Sequence, residues 1–84
     1  MSEKELFEIK STVTSVFYRR PSPDEPPYVE VGSKVTPDTT VCLLEVMKCF
    51  RSIPAGVSGT IEEICVESGD LVNEGTVLFR VRPE

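Results

Sequence analysis

The sequence predicts an all-β fold, a small β sandwich or flattened barrel. Short β-forming runs recur along its 84 residues, turn signals such as Pro37-Asp38 and Ser68-Gly69-Asp70 separate them, and the second half repeats the first. The apolar fraction of 39% suffices for one thin core, and halves of roughly forty residues are too small to fold separately. We therefore expect one domain with internal pseudo-symmetry.

The repeat rests on three pairs of matching segments. They are residues 29–35 with 66–72, residues 40–43 with 76–79, and, more weakly, residues 13–15 with 57–59. The offset falls from 44 residues in the upstream pair to 37, and then to 36 after a slip of one residue. The first half therefore holds about seven extra residues, which we place in the proline-rich stretch of residues 18–28.

The β-forming runs follow one another along the chain. Val13, Val16 and Phe17 are β-formers, residues 60–66 are apolar with one polar break, and residues 77–81 alternate with an apolar face. Turn signals separate the runs at Gly32, Pro37-Asp38, Pro54-Ala55-Gly56, Ser58-Gly59, Ser68-Gly69-Asp70 and Asn73-Glu74-Gly75. Short, regularly spaced strands of this kind are typical of sandwiches and barrels.

Residues 43–50 are compatible with a helix or a hairpin. Their apolar side chains recur at helical spacing and several are good helix formers. The repeat favours strand, because residues 76–79 correspond to residues 40–43 and alternate like a strand. We therefore predict strands at residues 41–46 and 49–53, with Met47-Lys48 at the hairpin tip.

Met47-Lys48 is an unusual pair for a two-residue hairpin tip. A type I′ turn needs positive φ at both central positions and favours Asn-Gly. A locally unfavourable tip suggests a function, and a tight hairpin would hold the amine of Lys48 clear of the body, where a modifying enzyme could reach it. A solvated surface lysine without a role is the alternative that this pattern leaves open.

Composition argues against several classes of function. The net charge is −5 with no histidine, and no basic stripe is present, so we expect no nucleic-acid partner. No run approaches a membrane span, and residues 1–10 carry three glutamates and no apolar run, unlike a signal peptide. Without histidine, a nucleophile–base pair, a metal-ligand cluster or a phosphate-binding loop, we expect no catalytic residue and no metal site.

The three cysteines indicate a reducing compartment. Their odd number and the absence of Cys-x-x-Cys spacing argue against a disulfide framework or a zinc site. We expect Cys42 and Cys65 to be small apolar side chains in strands. Cys49, beside Lys48, is expected to be exposed and is a candidate reactive thiol.

Residues 44–50, Leu-Glu-Val-Met-Lys-Cys-Phe, resemble the Glu-Ala-Met-Lys-Met signature of biotin-carrier domains. Residues 58–61 and 66–69 match the strand and turn that follow it in that family. Residues 17–24, followed by residues 30–32, are similar to the corresponding region of bacterial and plastid acetyl-CoA carboxylase carrier proteins. The resemblance runs from about Ser11 to Pro83 and therefore covers nearly the whole chain.

This resemblance to the biotinyl/lipoyl-attachment family implies a detailed fold and a cofactor. The fold would be two four-stranded antiparallel sheets with pseudo-twofold symmetry, a barrel-sandwich hybrid. Residues 1–10 would be a tail before a biotinyl domain at residues 11–84, with a protruding thumb at residues 18–28. Biotin would be carried in amide linkage to Lys48. Carriers of this branch usually have an N-terminal extension and linker, so a minimal carrier and a piece of a longer subunit both remain open.

The function implied is that of a non-catalytic carrier subunit of acetyl-CoA carboxylase. A biotin protein ligase would load Lys48, a biotin carboxylase would carboxylate the biotin with ATP and bicarbonate, and a carboxyltransferase would pass the carboxyl group to acetyl-CoA. Malonyl-CoA for fatty acid biosynthesis would result. The swinging arm would operate in the cytoplasm, or in the plastid stroma of a plant.

Some site residues follow the family pattern and others depart from it. Glu45 and Met47 match the signature. Val46 stands where alanine is commonest, Cys49 replaces the usual methionine after the lysine, and Arg20 stands where the thumb of well-known relatives has a threonine near the biotin ring. A guanidinium at Arg20 could contact the ureido oxygen or carboxybiotin, or point to solvent.

Other carriers with the same fold remain alternatives. A lipoyl carrier, including the longer glycine-cleavage type, would normally have an acidic residue at the position of Met47, so the resemblance favours biotin. An unmodified carrier-like interaction domain also stays open, because Cys49 and Arg20 depart from the pattern. Whether a ligase modifies Lys48 separates these possibilities.

Overall fold

Eight strands form two four-stranded sheets. The computed structural model describes residues 6–84, with strands β1 (Phe7–Lys10), β2 (Ser15–Tyr18), β3 (Lys34–Val35), β4 (Thr40–Val46), β5 (Cys49–Pro54), β6 (Gly59–Ile64), β7 (Leu71–Val72) and β8 (Val77–Pro83). The order is β1-β8-β6-β3 in one sheet, here the terminal sheet, and β5-β4-β2-β7 in the other, here the hairpin sheet. All paired strands are antiparallel. The predicted all-β architecture of two four-stranded sheets is confirmed.

The core lies between the two sheets. Side chains alternate along each strand, so one face of each sheet points inward, and thirteen buried apolar residues form one cluster. Phe17 of the hairpin sheet and Phe79 of the terminal sheet meet at its centre, with ring centroids 5.8 Å apart and both side chains fully buried. This tilted aromatic contact joins the two halves of the repeat.

The pseudo-symmetry extends to the hydrogen bonds of the turns. In residues 30–33 and again in residues 67–70, the last N–H donates to the first carbonyl, at 2.9 and 3.0 Å. In both turns the first N–H donates to the side chain of the last residue, Ser33 or Asp70, at 2.9 Å. Residues 36–39 and 73–76 form a second pair of turns with the same two contacts. Both pairs are related by 37 residues.

The predicted one-residue slip in the repeat is wrong. Thr76 corresponds to Thr39 rather than Thr40, because Thr39 and Thr76 accept the same turn hydrogen bond through their side-chain oxygen. The buried positions of β4 also recur in β8, 37 residues later in the sequence. Matching by residue identity chose the wrong one of two adjacent threonines.

The domain begins earlier than residue 11. Phe7–Lys10 forms β1, an edge strand of the terminal sheet that pairs with β8, and Ile9 is buried in the core. The predicted tail of residues 1–10 is therefore wrong for residues 7–10. A strand of four residues with only one inward side chain gives a periodic pattern too weak to recognise in the sequence. Residues 1–5 of that predicted tail lie outside the described residues.

The predicted hairpin is confirmed. Strands β4 and β5 are each slightly longer than expected and pair from Val46 with Cys49 back to Thr40 with Pro54. Met47 and Lys48 join them with φ of 52° and 69°, the positive values that a type I′ turn requires. Tertiary pairing therefore overrides the helical propensity of this segment.

A ten-residue loop, residues 19–28, leaves the end of β2; we call it the thumb. Its base is closed by the Tyr28 N–H, which donates to the Arg19 carbonyl at 2.9 Å. The Glu25 N–H donates to the Ser22 carbonyl at 3.1 Å and forms a turn within it. Tyr18 belongs to β2, so the loop starts one residue later than predicted. The second half has only residues 63–65 at this place, which accounts for the seven extra residues.

Candidate functional site

Lys48 is an exposed residue of the two-residue turn between β4 and β5. Cys49 is exposed beside it, and Met47 is 91% exposed. Among residues 6–84, no carboxylate lies within 4.0 Å of the Lys48 ammonium. The amine is therefore accessible and unpaired within the described part of the chain.

The backbone fixes the point at which the Lys48 side chain leaves the turn. Left-handed φ values at two non-glycine residues cost about 1–2 kcal/mol each, and the hairpin ladder maintains them from both sides. Positive φ at Met47 and Lys48 thus places both side chains outward from a two-residue turn. The structure brings three predicted site residues, Met47, Lys48 and Cys49, together at this tip.

Glu45 anchors the hairpin to β2 behind the tip. The Tyr18 hydroxyl donates to Glu45 Oε1 at 3.2 Å, and the Tyr18 ring packs against Phe50 with centroids 5.8 Å apart. The hydrogen bond to Glu45, with smaller effects of burial and of the negative charge, raises the pKa of Tyr18. Glu45 therefore has a structural contact in addition to its place in the signature.

A groove of about 690 Å³ separates the thumb from the hairpin sheet. Tyr18 and Phe50 provide its aromatic side, residues 19–23 of the thumb form one wall, and residues 67–69 form the other. Arg20 lines this groove and is half-buried. The predicted site residue Arg20 therefore faces a cavity near the hairpin, whereas Met47 and Cys49 are not among the residues that line it.

Arg19 holds the base of the thumb in place. Its backbone N–H donates to Ser68 Oγ at 2.8 Å and its Nη2 donates to the Val29 carbonyl at 3.4 Å. Its Nε is buried without a hydrogen-bond partner in the structure. The groove therefore combines guanidinium and hydroxyl donors with an aromatic surface, which suits a small, flat polar ring.

Sequence reasoning did not identify Tyr18, Arg19, Phe50 and Ser68 as site residues. Phe50 could have been found from the hairpin register, because alternation places it on the outer face two residues after Lys48. Two residues of strand span about 7 Å, so a group on a flexible arm at Lys48 would have to fold back to enter the groove. Ser68 gives no local signal, since it meets Arg19 across 49 residues of sequence.

The remaining thiols are poor nucleophiles. Burial raises the pKa of Cys42 to about 12. Burial and the nearby Glu63 carboxylate raise the pKa of Cys65, which follows β6 instead of lying within it.

Within residues 6–84, no three histidine, cysteine or carboxylate side chains are grouped as a metal site. The same residues include no helix long and apolar enough to cross a membrane.

Comparison with known proteins gives consistent matches. Residues 7–81 match the biotin/lipoyl family model described as "Biotin-requiring enzyme". The chain is 42% identical over 73 residues to the biotin carboxyl carrier protein of acetyl-CoA carboxylase from Chlamydia trachomatis, which covers 87% of this chain and 44% of that protein. The protein of the same name from Nostoc sp. is 39% identical over 82 residues, covering 98% of this chain and 45% of that protein.

A plant relative is also similar. Biotin carboxyl carrier protein of acetyl-CoA carboxylase 2, chloroplastic, from Arabidopsis thaliana is 45% identical over 75 residues, which cover 89% of this chain and 29% of that protein. The chain spans less than half the length of each of these three relatives.

Proposed function

The chain belongs to the biotin/lipoyl-attachment domain family, and we propose that it is the biotinyl domain of an acetyl-CoA carboxylase carrier, with biotin in amide linkage to Lys48. The observation that carries this proposal is the position of Lys48 at the tip of a rigid hairpin, exposed and unpaired among the described residues. The names of the similar proteins support the assignment to acetyl-CoA carboxylase.

The residues of the groove fit biotin. Tyr18 and Phe50 offer an apolar surface for a ring, and the half-buried Arg20 offers donors for a ureido oxygen or a carboxylate. The buried, unpartnered Nε of Arg19 is a further donor at the base of the thumb. When bound, biotin supplies the ureido nitrogen that carries the carboxyl group.

The chain's own residues attach, present and shelter the arm. Amide formation at Lys48 Nζ removes the positive charge of the tip and lengthens the arm. The fixed backbone of Met47 and Lys48 sets the point from which the arm swings. The domain contributes no bond chemistry and raises the local concentration of the carried group near its partner enzymes.

Three enzymes are the proposed partners. A biotin protein ligase would attach biotin, a biotin carboxylase would charge it with ATP and bicarbonate, and a carboxyltransferase would deliver the carboxyl group to acetyl-CoA. The product, malonyl-CoA, would supply fatty acid biosynthesis. The bacterial and chloroplastic relatives are consistent with a place in the cytoplasm or the plastid stroma.

Reconstitution tests the carrier role. Biotin-loaded chain, biotin carboxylase, carboxyltransferase, ATP, labelled bicarbonate and acetyl-CoA are expected to give labelled malonyl-CoA. The Lys48→Arg variant keeps the positive charge but lacks the amine to which biotin is attached. It is expected to give no labelled malonyl-CoA. Loaded chain that accepts no label from biotin carboxylase would contradict the role as a carboxyl carrier, even if the biotin is on Lys48.

A further inference from the structure

The outer faces of the two sheets differ in chemistry although the repeat relates the sheets. Four ion pairs cover the outer side of the terminal sheet: Lys10 with Glu8 at 3.7 Å, Arg80 with Glu8 at 3.4 Å, Arg80 with Glu63 at 2.6 Å and Arg82 with Glu62 at 2.8 Å. All six side chains come from β1, β6 and β8. This face is charged and suited to water.

The hairpin sheet presents an apolar patch on its outer face, formed by Phe50, Leu43, Val16 and Leu71. The strand register places Phe50, Glu45, Val16 and Leu71 side by side in one row across all four strands. Phe50 is 58% exposed and Leu71 is 70% exposed. Leu43 lies in the next row, and both Leu43 and Val16 are half-buried opposite to the inward residues of their strands. Glu45 lies between Phe50 and Val16 in the row, and Phe50 brings the patch to within two residues of Lys48.

The fold does not require apolar side chains at three of these four positions. The repeat sets Val16 against Thr60, Leu43 against Arg80, and Leu71 against Lys34. The terminal sheet therefore builds the same architecture with polar or charged residues at these three places, although Leu6 and Phe7 are exposed at its β1 edge. The exposed apolar area of the hairpin sheet thus points to a partner that covers it.

We propose that the apolar patch is a docking surface for the enzyme that acylates Lys48. This inference rests on the proposed function. A lysine side chain spans only about 6 Å, since it has four methylenes, so that enzyme has to cover the hairpin tip itself. An interface of standard size buries about 800 Å² on each partner, equivalent to a disc about 16 Å in radius, and Phe50 lies about 7 Å along β5 from Lys48.

The later enzymes face a weaker constraint. They act on the far end of an arm and can do so without contact with the sheet. The enzyme that forms the amide bond acts on the Lys48 amine before the arm is attached, so it has to approach the hairpin tip. The reach of the lysine therefore selects the acylating enzyme as the occupant of the patch.

The charges beside the patch define the partner further. Glu67 and Asp70 lie in the turn that precedes Leu71, and in the described part of the chain no lysine or arginine is within 4.0 Å of either carboxylate. A partner with an apolar centre and basic side chains at this edge complements the surface. On the outer face of the terminal sheet, the charges of β1, β6 and β8 are paired with one another.

The test replaces three of the four patch residues by their counterparts on the terminal sheet and keeps Phe50. The variant Val16→Thr/Leu43→Arg/Leu71→Lys carries the residues found at the equivalent positions, and its folding is checked by urea denaturation. With a biotin protein ligase, biotin and ATP, we expect KM for the chain to rise about tenfold while kcat stays within about twofold, because the tip is unchanged. Leu71→Lys alone changes one exposed residue and is expected to raise KM about threefold.

The matched control is Thr60→Val on the terminal sheet, which should leave KM unchanged. If wild type is loaded and the folded triple variant is loaded with the same KM, the docking proposal is wrong. A dimer of wild type that the triple variant abolishes without a change in KM would make the patch a self-association surface and also overturn it. If wild type is not loaded at all, the proposed function itself fails.

Discussion

Met47 and Lys48 show how a single turn combines strain with presentation of a reactive group. Both residues adopt left-handed φ, 52° and 69°, in a turn that normally selects asparagine and glycine. The composition of the pair allowed the prediction of a functional tip, because no local preference explains it. What the sequence could not provide was the contact of Glu45 with Tyr18, since it joins residues 27 positions apart.

The strain at the tip predicts a stabilising substitution. Met47→Gly should raise the free energy of unfolding by about 0.5–1 kcal/mol, because relief of the left-handed conformation exceeds the entropy that glycine adds to the unfolded chain. Urea denaturation with a constant m value measures this change. Met47→Leu is the control, since the side chain is 91% exposed and leucine would retain the strain. A loss of stability in Met47→Gly would show that the tip does not hold these angles.

The Tyr18–Glu45 hydrogen bond predicts a pH dependence. It raises the pKa of Tyr18 above its ordinary 10.0, so its contribution to stability is complete below that pH and is lost as the pH rises through the higher folded pKa. Ultraviolet titration in a Tyr28→Phe background follows this one tyrosine. Glu45→Gln should lower its midpoint, because the negative acceptor is lost. An unchanged midpoint would mean that the bond does not form in solution.

At the scale of elements, repetition was a better guide than propensity. The counterpart in β8 correctly predicted a strand before Met47-Lys48, and hence a hairpin, where helix propensity would have misled. Repetition failed for β1, because its match in β5 has a different sequence, and for the offset of β4, because two adjacent threonines allowed two alignments. Turn hydrogen bonds distinguished the two alignments.

The thumb can be tested as a replaceable element. Substituting residues 63–65 for residues 19–28 copies the shorter link of the second half. The barrel should stay folded, because the core residue Val29 is kept and the thumb base is held by few hydrogen bonds. The biotin arm on Lys48 should become more mobile by NMR relaxation, with exposed Asp24→Ala as the control. Equal arm mobility in both variants would remove the proposed contact of the thumb with biotin.

Strand β6 requires a glycine where it crosses β8. A Cβ at Gly59 would overlap the Arg82 carbonyl oxygen and lie 2.9 Å from Val81 Cγ1, and paired backbone cannot move aside. Gly59→Ala should therefore lower the free energy of unfolding by about 2–3 kcal/mol, measured by urea denaturation. Ser58→Ala at the neighbouring half-buried position is the control. Equal midpoints for the two variants would contradict this close approach.

At the scale of the whole molecule, one fold supports two different surfaces. The paired strands of the repeat build equivalent sheets around a common core, yet one outer face is covered by ion pairs and the other carries the hairpin, the groove and an apolar patch. The sequence predicted the shared architecture because both halves encode it. The asymmetry became visible only when the register placed residues from four strands in one row.

The central claim is that this molecule presents Lys48 for attachment of biotin. Intact mass after incubation with a biotin protein ligase, biotin and ATP, followed by peptide mapping, tests it most directly, with Lys48→Arg and a lipoyl ligase run in parallel. We predict the gain of one biotinyl group on the peptide that contains Lys48 and no gain in Lys48→Arg. No gain in wild type, biotin on another residue, or lipoylation of Lys48 alone would contradict the claim.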